Sequence, residues 1–286
     1  MIGEATQALI ADVFDDNRAF APARQVKRRV VAWGGEPVEL PHSAAVISEM
    51  ALEAHLRGSQ GLTSAGAPDW TIVTTPPLPE NVQRLEFGTR IASACRIRLK
   101  DEPDTEKCWI ESLKNGWLFL LPDWMLAVGA AADELLSESR VIANRIERFE
   151  PASGRFPAFP RICSPLSGSD WLACGSAAMA FDPICGDGAG NAVREAILAT
   201  AVIRAGGTEE MLAHYRARLI AGFARHLELC RPFYAAIEGD WWRAELAELD
   251  RGRAWCREQL SGHEYRYQLQ GFDLVKPIPN SAANLS

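Results

Sequence analysis

The chain has 286 residues, 48% hydrophobic and 23% charged, enough to bury a large core in one or two domains. A net charge of −7 with a pI near 5.4 argues against a nucleic-acid or membrane-surface partner, since both need a basic face. No apolar run reaches the length of a membrane span, and residues 1–20 lack a basic start followed by an apolar stretch, so the expected compartment is the cytoplasm.

Residues 1–14 predict a loop and a short amphipathic helix with Ala8, Leu9, Ile10, Val13 and Phe14 as its apolar positions. Runs at 29–33 and 37–40 flank Gly34-Gly35, a favoured turn pair, and predict a hairpin. The nearby cluster Arg24, Lys27, Arg28 and Arg29 reads as a solvated strand edge, with attraction of a phosphate or an acidic partner as the alternative. A helix over 48–56 ends at Gly58, and 59–68 is a loop rich in Gly, Ser and Ala. A strand at 70–73 is followed by Pro76-Pro77, which cannot extend a ladder. Between 86 and 130, runs at 87–99, 108–113, 116–121 and 124–129 predict an antiparallel sheet, with Asn115-Gly116 as a tight hairpin turn. The spacing of Leu135, Leu136, Val141, Ile142 and Ile146 predicts a helix over 130–149, and 151–165 is a Pro-rich connector with an extended piece at 161–163.

The stretch 171–207 is the most informative. A short strand at 171–174 enters a loop holding Gly175, Gly186, Gly188 and Gly190 with Asp182-Pro183, and a helix follows over 191–204. Bare glycine backbone and the first helical N–H groups suit an anionic or strongly polar ligand. The helix is apolar nearly all round and is therefore buried, so its start faces an internal cleft. From 208 onward the pattern is helical, with Met211, Leu212, Tyr215, Leu219, Phe223 and Leu227 at helical spacing. His214 and His226 have no ligand set around them, so no metal site is expected. The seven cysteines are odd in number and lack CxxC spacing, which predicts reduced, mostly buried thiols. The last quarter is rich in aromatics, among them Trp241 and Trp242, read as core packing or as a lid over a planar substrate.

Gly175, Ala177, Ala178, Asp182, Pro183, Gly186 and Gly188 match in type and spacing the third flavin motif of the FAD-dependent monooxygenases. The chain resembles that superfamily, above all the flavin-dependent halogenases and the flavoproteins of tryptophylquinone maturation. The stretch Gly116-Trp117-Leu118-Phe119-Leu120-Leu121-Pro122 resembles the halogenase pattern Gly-Trp-x-Trp-x-Ile-Pro, with Phe119 in place of the second Trp, and Gly3-Glu4 resembles a Gly-Glu loop beside the flavin. The resemblance implies FAD as cofactor, bound by Gly175, Ser176, Asp182, Pro183, Ile184, Gly186, Asp187 and Gly188, with Ser176 at the ribityl chain where the family has Asp. It implies a substrate pocket drawing on Trp117, Phe119, Trp241 and Trp242, and an aromatic substrate, small or carried by a partner polypeptide, oxidised through a flavin C4a-hydroperoxide. The lysine and glutamate that halogenation needs cannot be placed. No Gly-x-Gly-x-x-Gly follows a strand in the sequence, so the chain reads as a member lacking its first few dozen residues or as one that holds its flavin otherwise. The alternatives are a flavin-dependent reductase of the geranylgeranyl reductase type and a truncated, non-catalytic relative.

The expected fold is α/β (α+β): a partial Rossmann-like FAD-binding domain over 1–75 with a crossover hairpin, an antiparallel substrate sheet plus helix over 76–150, a return to the FAD-binding domain over 151–207, and a helical, aromatic-rich cap over 208–286.

Overall fold

The structure is a computed structural model that describes residues 1–56, 69–100, 105–185, 187–263 and 265–276; Gly58, the predicted loop over 59–68 and Gly186 lie outside the described residues. In chain order the elements are β1 (Ile2–Gly3), α1 (Glu4–Phe14), β2 (Arg24–Ala32), β3 (Val38–Val46), α2 (Glu49–Leu56), β4 (Thr71–Val73), β5 (Gln83–Glu86), β6 (Ile91–Leu99), β7 (Lys107–Leu113), β8 (Gly116–Leu120) and β9 (Trp124–Gly129). They continue as α3 (Ala132–Glu138), β10 (Ile146–Phe149), β11 (Gly154–Pro157), β12 (Arg161–Ser164), β13 (Trp171–Ala173), α4 (Gly175–Ala178), β14 (Met179–Ala180), α5 (Gly188–Arg204), α6 (Glu209–Ala235), α7 (Asp240–Leu260), β15 (Gln268–Gln270) and β16 (Asp273–Val275).

The main sheet has nine strands in the order β1-β3-β2-β7-β8-β9-β6-β10, with β11 also on β6. The alternation of β8 organises it. Successive side chains on a strand point to opposite faces. Trp117 therefore joins a core with Phe87, Leu172, Phe223 and Trp242, while Leu118 and Leu120 join Trp109, Met125, Leu135 and Ile142 on the other face. Burial on both faces makes β8 a central strand. Asn115-Gly116 forms the predicted tight turn, and Gly116 is required there: its φ is +151° and a Cβ would meet the Val128 carbonyl oxygen at 2.1 Å.

Three expectations are corrected. The sheet is mixed, because β2 runs parallel to β7 across five matched residues from Arg28↔Lys107 to Ala32↔Glu111. The long excursion between β3 and β7 allows what a hairpin could not. For the same reason β2 is an interior strand and its basic residues do not guard an edge: Arg24 pairs with Asp123 at 3.2 Å, Lys27 with Glu106 at 2.6 Å and Arg28 with Glu39 at 3.3 Å. The helix expected over 130–149 stops at Glu138. Buried Glu111 of β7 accepts hydrogen bonds from the backbone of Arg140 (2.9 Å), Val141 (3.2 Å) and Ile142 (3.0 Å), and from the Ser139 hydroxyl. A carboxylate that draws three successive N–H groups outcompetes the helical ladder, and the chain turns so that Ile146 to Phe149 pair with β6.

A second, smaller layer holds the strand–loop–helix stretch. β13 pairs parallel with β4, and β12 lies between β14 and β5. The helix expected over 191–204 starts earlier, at Gly188, because the Asp187 carboxylate caps it by accepting from the Gly190 N–H at 3.2 Å. The helical tail is two long helices, α6 and α7, that pack along each other. All seven cysteines are free thiols, six of them buried, with Cys185 half-buried. No helix among the described residues is long and apolar enough to cross a membrane.

Candidate functional site

The loop between β13 and α5 is anchored from below by α6. Tyr215 donates from its hydroxyl to the Ala173 carbonyl at 2.6 Å, at the end of β13. Three helical turns on, His226 Nε2 accepts the Asp182 backbone N–H at 2.8 Å. Gly175 opens the loop at φ +58°, a left-handed conformation that favours glycine, and gives its N–H to the Glu195 carboxylate at 2.7 Å. Burial pushes the Glu195 pKa up to about 7, against the pull of that hydrogen bond. Ser176 is exposed and donates to the Thr74 carbonyl at 3.1 Å, leaving its oxygen lone pairs free for a ligand hydroxyl.

Asp182 is fully buried and belongs to a polar network, where its carboxylate holds the loop. Its Oδ2 accepts from Arg90 Nε at 2.9 Å and from the Tyr234 hydroxyl at 2.7 Å, and its Oδ1 accepts from the Ile184 N–H at 3.0 Å. Arg90 also donates to Glu245, which in turn accepts from the Thr89 hydroxyl at 2.7 Å. Burial alone would lower the Arg90 pKa, but Asp182, Tyr234 and Glu245 reverse this and raise it. Burial lowers the His226 pKa to about 4, so the ring stays neutral and accepts from the Asp182 N–H. Asp187 is likewise committed within the protein: it caps α5, accepts from the Thr6 hydroxyl at 2.6 Å and pairs with Arg194 at 3.0 Å.

What remains open is a cavity of about 640 Å³. It is lined by Pro183, Ile184, Cys185 and Gly188 of the loop, by Phe119 and Leu121 with Ile110 and Leu126 of the neighbouring strands, and by Arg29 and Phe233. A Cβ at Gly188 would meet nothing within 4 Å, so its backbone is open to the space. Of the four aromatics expected at the substrate, Phe119 lines this cavity. Trp117 and Trp242 do not: both are buried in the core, where Trp242 gives its Nε1–H to the Leu113 carbonyl at 2.9 Å and stacks edge-on against Trp33 at 5.5 Å. Trp241 is half-buried beside Trp242 at 4.7 Å and lies outside the cavity lining.

Arg90, Glu245, Tyr234 and His226 were not foreseen as parts of the site. Glu245 had a signal: it stands on the same stripe of α7 as the buried Trp242, Leu249 and Cys256, and a carboxylate on an apolar stripe needs a buried partner.

No family model matches the sequence, and no curated protein matches it. Solved structures do. The peptidyl tryptophan dihydroxylase QhpG, essential for tryptophylquinone cofactor biogenesis, matches with a TM-score of 0.67 at 15% identity over 96% of this chain and 77% of its own. The flavin-dependent halogenase CmlS matches with a TM-score of 0.69 at 14% identity over 96% of this chain and 76% of its own. The p-nitrophenol 4-monooxygenase PnpA of Pseudomonas putida DLL-E4 matches with a TM-score of 0.58 at 13% identity over 92% and 88%. The fold is that of the FAD-dependent monooxygenases and halogenases. In this fold the two segments that carried the resemblance in sequence, the loop from Gly175 to Gly188 and strand β8, line one cavity through Pro183, Ile184, Gly188 and Phe119.

Proposed function

We propose that the chain is an FAD-dependent oxidoreductase of the monooxygenase type, and that an aromatic substrate, of the indole class and free or carried by a polypeptide, meets the flavin in the cavity between Phe119 and Pro183-Ile184. The observation that carries this reading is the convergence of both motif segments on one apolar space of about 640 Å³. A planar ring fits between the loop and the sheet face, with the open backbone at Gly188 and the start of α5 at its polar edge. Ser176 offers lone pairs to a ribityl hydroxyl. Asp182 supports the loop through Ile184, and Asp187 presets the first turn of α5.

FAD, when reduced, supplies the electrons for dioxygen chemistry. The chain's own residues bind, orient and exclude water. Phe119, Ile110, Leu121 and Leu126 form the apolar wall against which an aromatic group stacks, and Arg29 brings a cation to the same space. Phe119 in place of a larger indole leaves that wall open. The likeness to QhpG supports a polypeptide-borne substrate and the likeness to PnpA a small aromatic one.

The test is the visible spectrum of the purified chain before and after addition of FAD and removal of the excess. A retained flavin spectrum, lost in Gly188→Val, is the expected result. A colourless wild-type chain overturns the reading for this form of the protein.

A further inference from the structure

A separate cavity of about 430 Å³ lies between α5, α6 and β15. Met179, Phe181, Leu198 and Leu219 give it an apolar floor, and Arg194, Arg218 and Arg225 line it as well. These cations are unequally engaged. Arg194 pairs with Asp187 at 3.0 Å, whereas among the described residues Arg218 has the ring face of Tyr265 at 5.7 Å and no ion pair. Arg225 has no hydrogen bond or ion pair to any described residue. Glu195 is also in the lining; it is buried, accepts the Gly175 N–H, and forms no ion pair with an arginine among the described residues.

Two further features point to a ligand. His214 lines this cavity and a smaller one beside it with His263 and Tyr267; it is 3% exposed, and its Nδ1 has no hydrogen-bond partner among the described residues. A buried nitrogen without a partner is costly to keep, and such groups in native proteins are satisfied by something. His214 and Arg218 are one helical turn apart and so lie on one face of α6. Gly222 continues that face toward Arg225, and a Cβ there would meet nothing within 4 Å. The helix surface between the two arginines is therefore a shallow trough over an apolar floor.

We infer that this cavity binds an amphiphilic anion, an apolar chain or ring ending in a carboxylate or phosphate. The acidic head takes the Nδ1–H of His214 and the guanidinium of Arg218, whose planar fork matches either head group. The apolar body lies along Gly222 on Leu198, Leu219 and Phe181. Arg225 and Arg194 add positive field at the mouth.

The site is tested by isothermal titration of the chain with decanoate and with decyl phosphate below their micelle concentrations, beside decanol and inorganic phosphate. One molecule of decanoate or decyl phosphate per chain is expected, and the tighter of the two identifies the head group. Decanol and inorganic phosphate should each bind at least tenfold more weakly, since each carries half of the recognised chemistry. Arg218→Gln should weaken the better ligand tenfold or more. Gly222→Leu keeps every charge and fills the trough; it should abolish binding while leaving the circular dichroism and Tm unchanged or raised. Absence of saturable binding to the wild-type chain overturns the inference, as does decanol binding as tightly as decanoate, or a folded Gly222→Leu chain that binds like the wild type.

Discussion

The Tyr234 hydroxyl donates to Asp182 Oδ2 at 2.7 Å, and through this bond helix α6 holds the loop that carries Pro183 and Ile184. Asp182 stands where sequence reasoning expects a cofactor contact, yet its charge is spent inside the protein. Removing partners one at a time separates the contributions. Tyr234→Phe should cost about 1–3 kcal/mol, the loss of one buried donor to a charged acceptor. Arg90→Met, which leaves Asp182 and Glu245 buried and unpaired, should cost about 3–5 kcal/mol. Urea unfolding of the two variants and the wild type measures both, and equal costs would refute the central place given to Arg90.

Glu195 and His226 bend the pH dependence of stability in opposite senses. The Glu195 pKa is raised from an ordinary 4.5 to about 7, so the folded state holds the proton more tightly. Its contribution is complete below pH 4.5 and is lost as the pH rises through 7, a change of roughly 3 kcal/mol. His226, lowered from 6.5 to about 4, contributes above pH 6.5 and is lost as the pH falls toward 4. Glu195→Gln keeps an acceptor for the Gly175 N–H without the charge. The stability gained over wild type should therefore grow between pH 4.5 and 7, as followed by chemical denaturation at half-unit pH steps. A constant difference across that range would show that Glu195 does not titrate there.

Gly188→Val separates binding from folding. The added side chain meets no neighbour at its Cβ, so stability should change by less than about 1 kcal/mol. It does intrude on the cavity wall, and FAD affinity, read from quenching of flavin fluorescence, should fall tenfold or more. Unchanged affinity would remove α5 from the flavin site.

Glu111→Ala should release the turn that ends α3. With three backbone N–H groups losing their shared acceptor, the amides of Arg140, Val141 and Ile142 should exchange with deuterium at least tenfold faster, and the chain should lose about 3 kcal/mol or more. Exchange indistinguishable from wild type at those amides would show that the turn closes without the carboxylate.

Local patterns were legible where one principle acted alone. The Asn115-Gly116 hairpin, the strand at 171–173 and the helix after the loop follow from turn chemistry and periodicity, and the structure reproduces their bounds within a few residues, but α5 buries one face only: Glu195, Leu198, Ala199 and Val202 are buried while Arg194 and Ala196 are exposed. Residues 139–149 were misread because apolar spacing alone favours a helix, while the deciding group, Glu111, lies 28 residues away from Ser139 in sequence. The parallel pairing of β2 with β7 is nonlocal in the same way. Pro183, Ile184, Gly188 and Phe119, expected at the site from motif spacing, line one cavity, but the inward turn of Asp182 depends on Arg90, 92 residues earlier. Trp117 and Phe119 share a face of β8, and no one-dimensional pattern says that the first is buried in the core beside Trp33 and the second is half-buried at the cavity.

The two bonds that α6 makes to the loop, from Tyr215 to Ala173 and from Asp182 to His226, make that helix a ruler. Eleven residues of helix rise about 16 Å, and this fixed length sets how far apart Ala173 and Asp182 can stand. Moving Ala173 and Asp182 apart must break one of these two bonds or disturb α6 between them. Amides of the segment from Gly175 to Ile184 should accordingly share the exchange behaviour of the helix beneath them, and a cleft built this way trades speed of opening for constancy of shape.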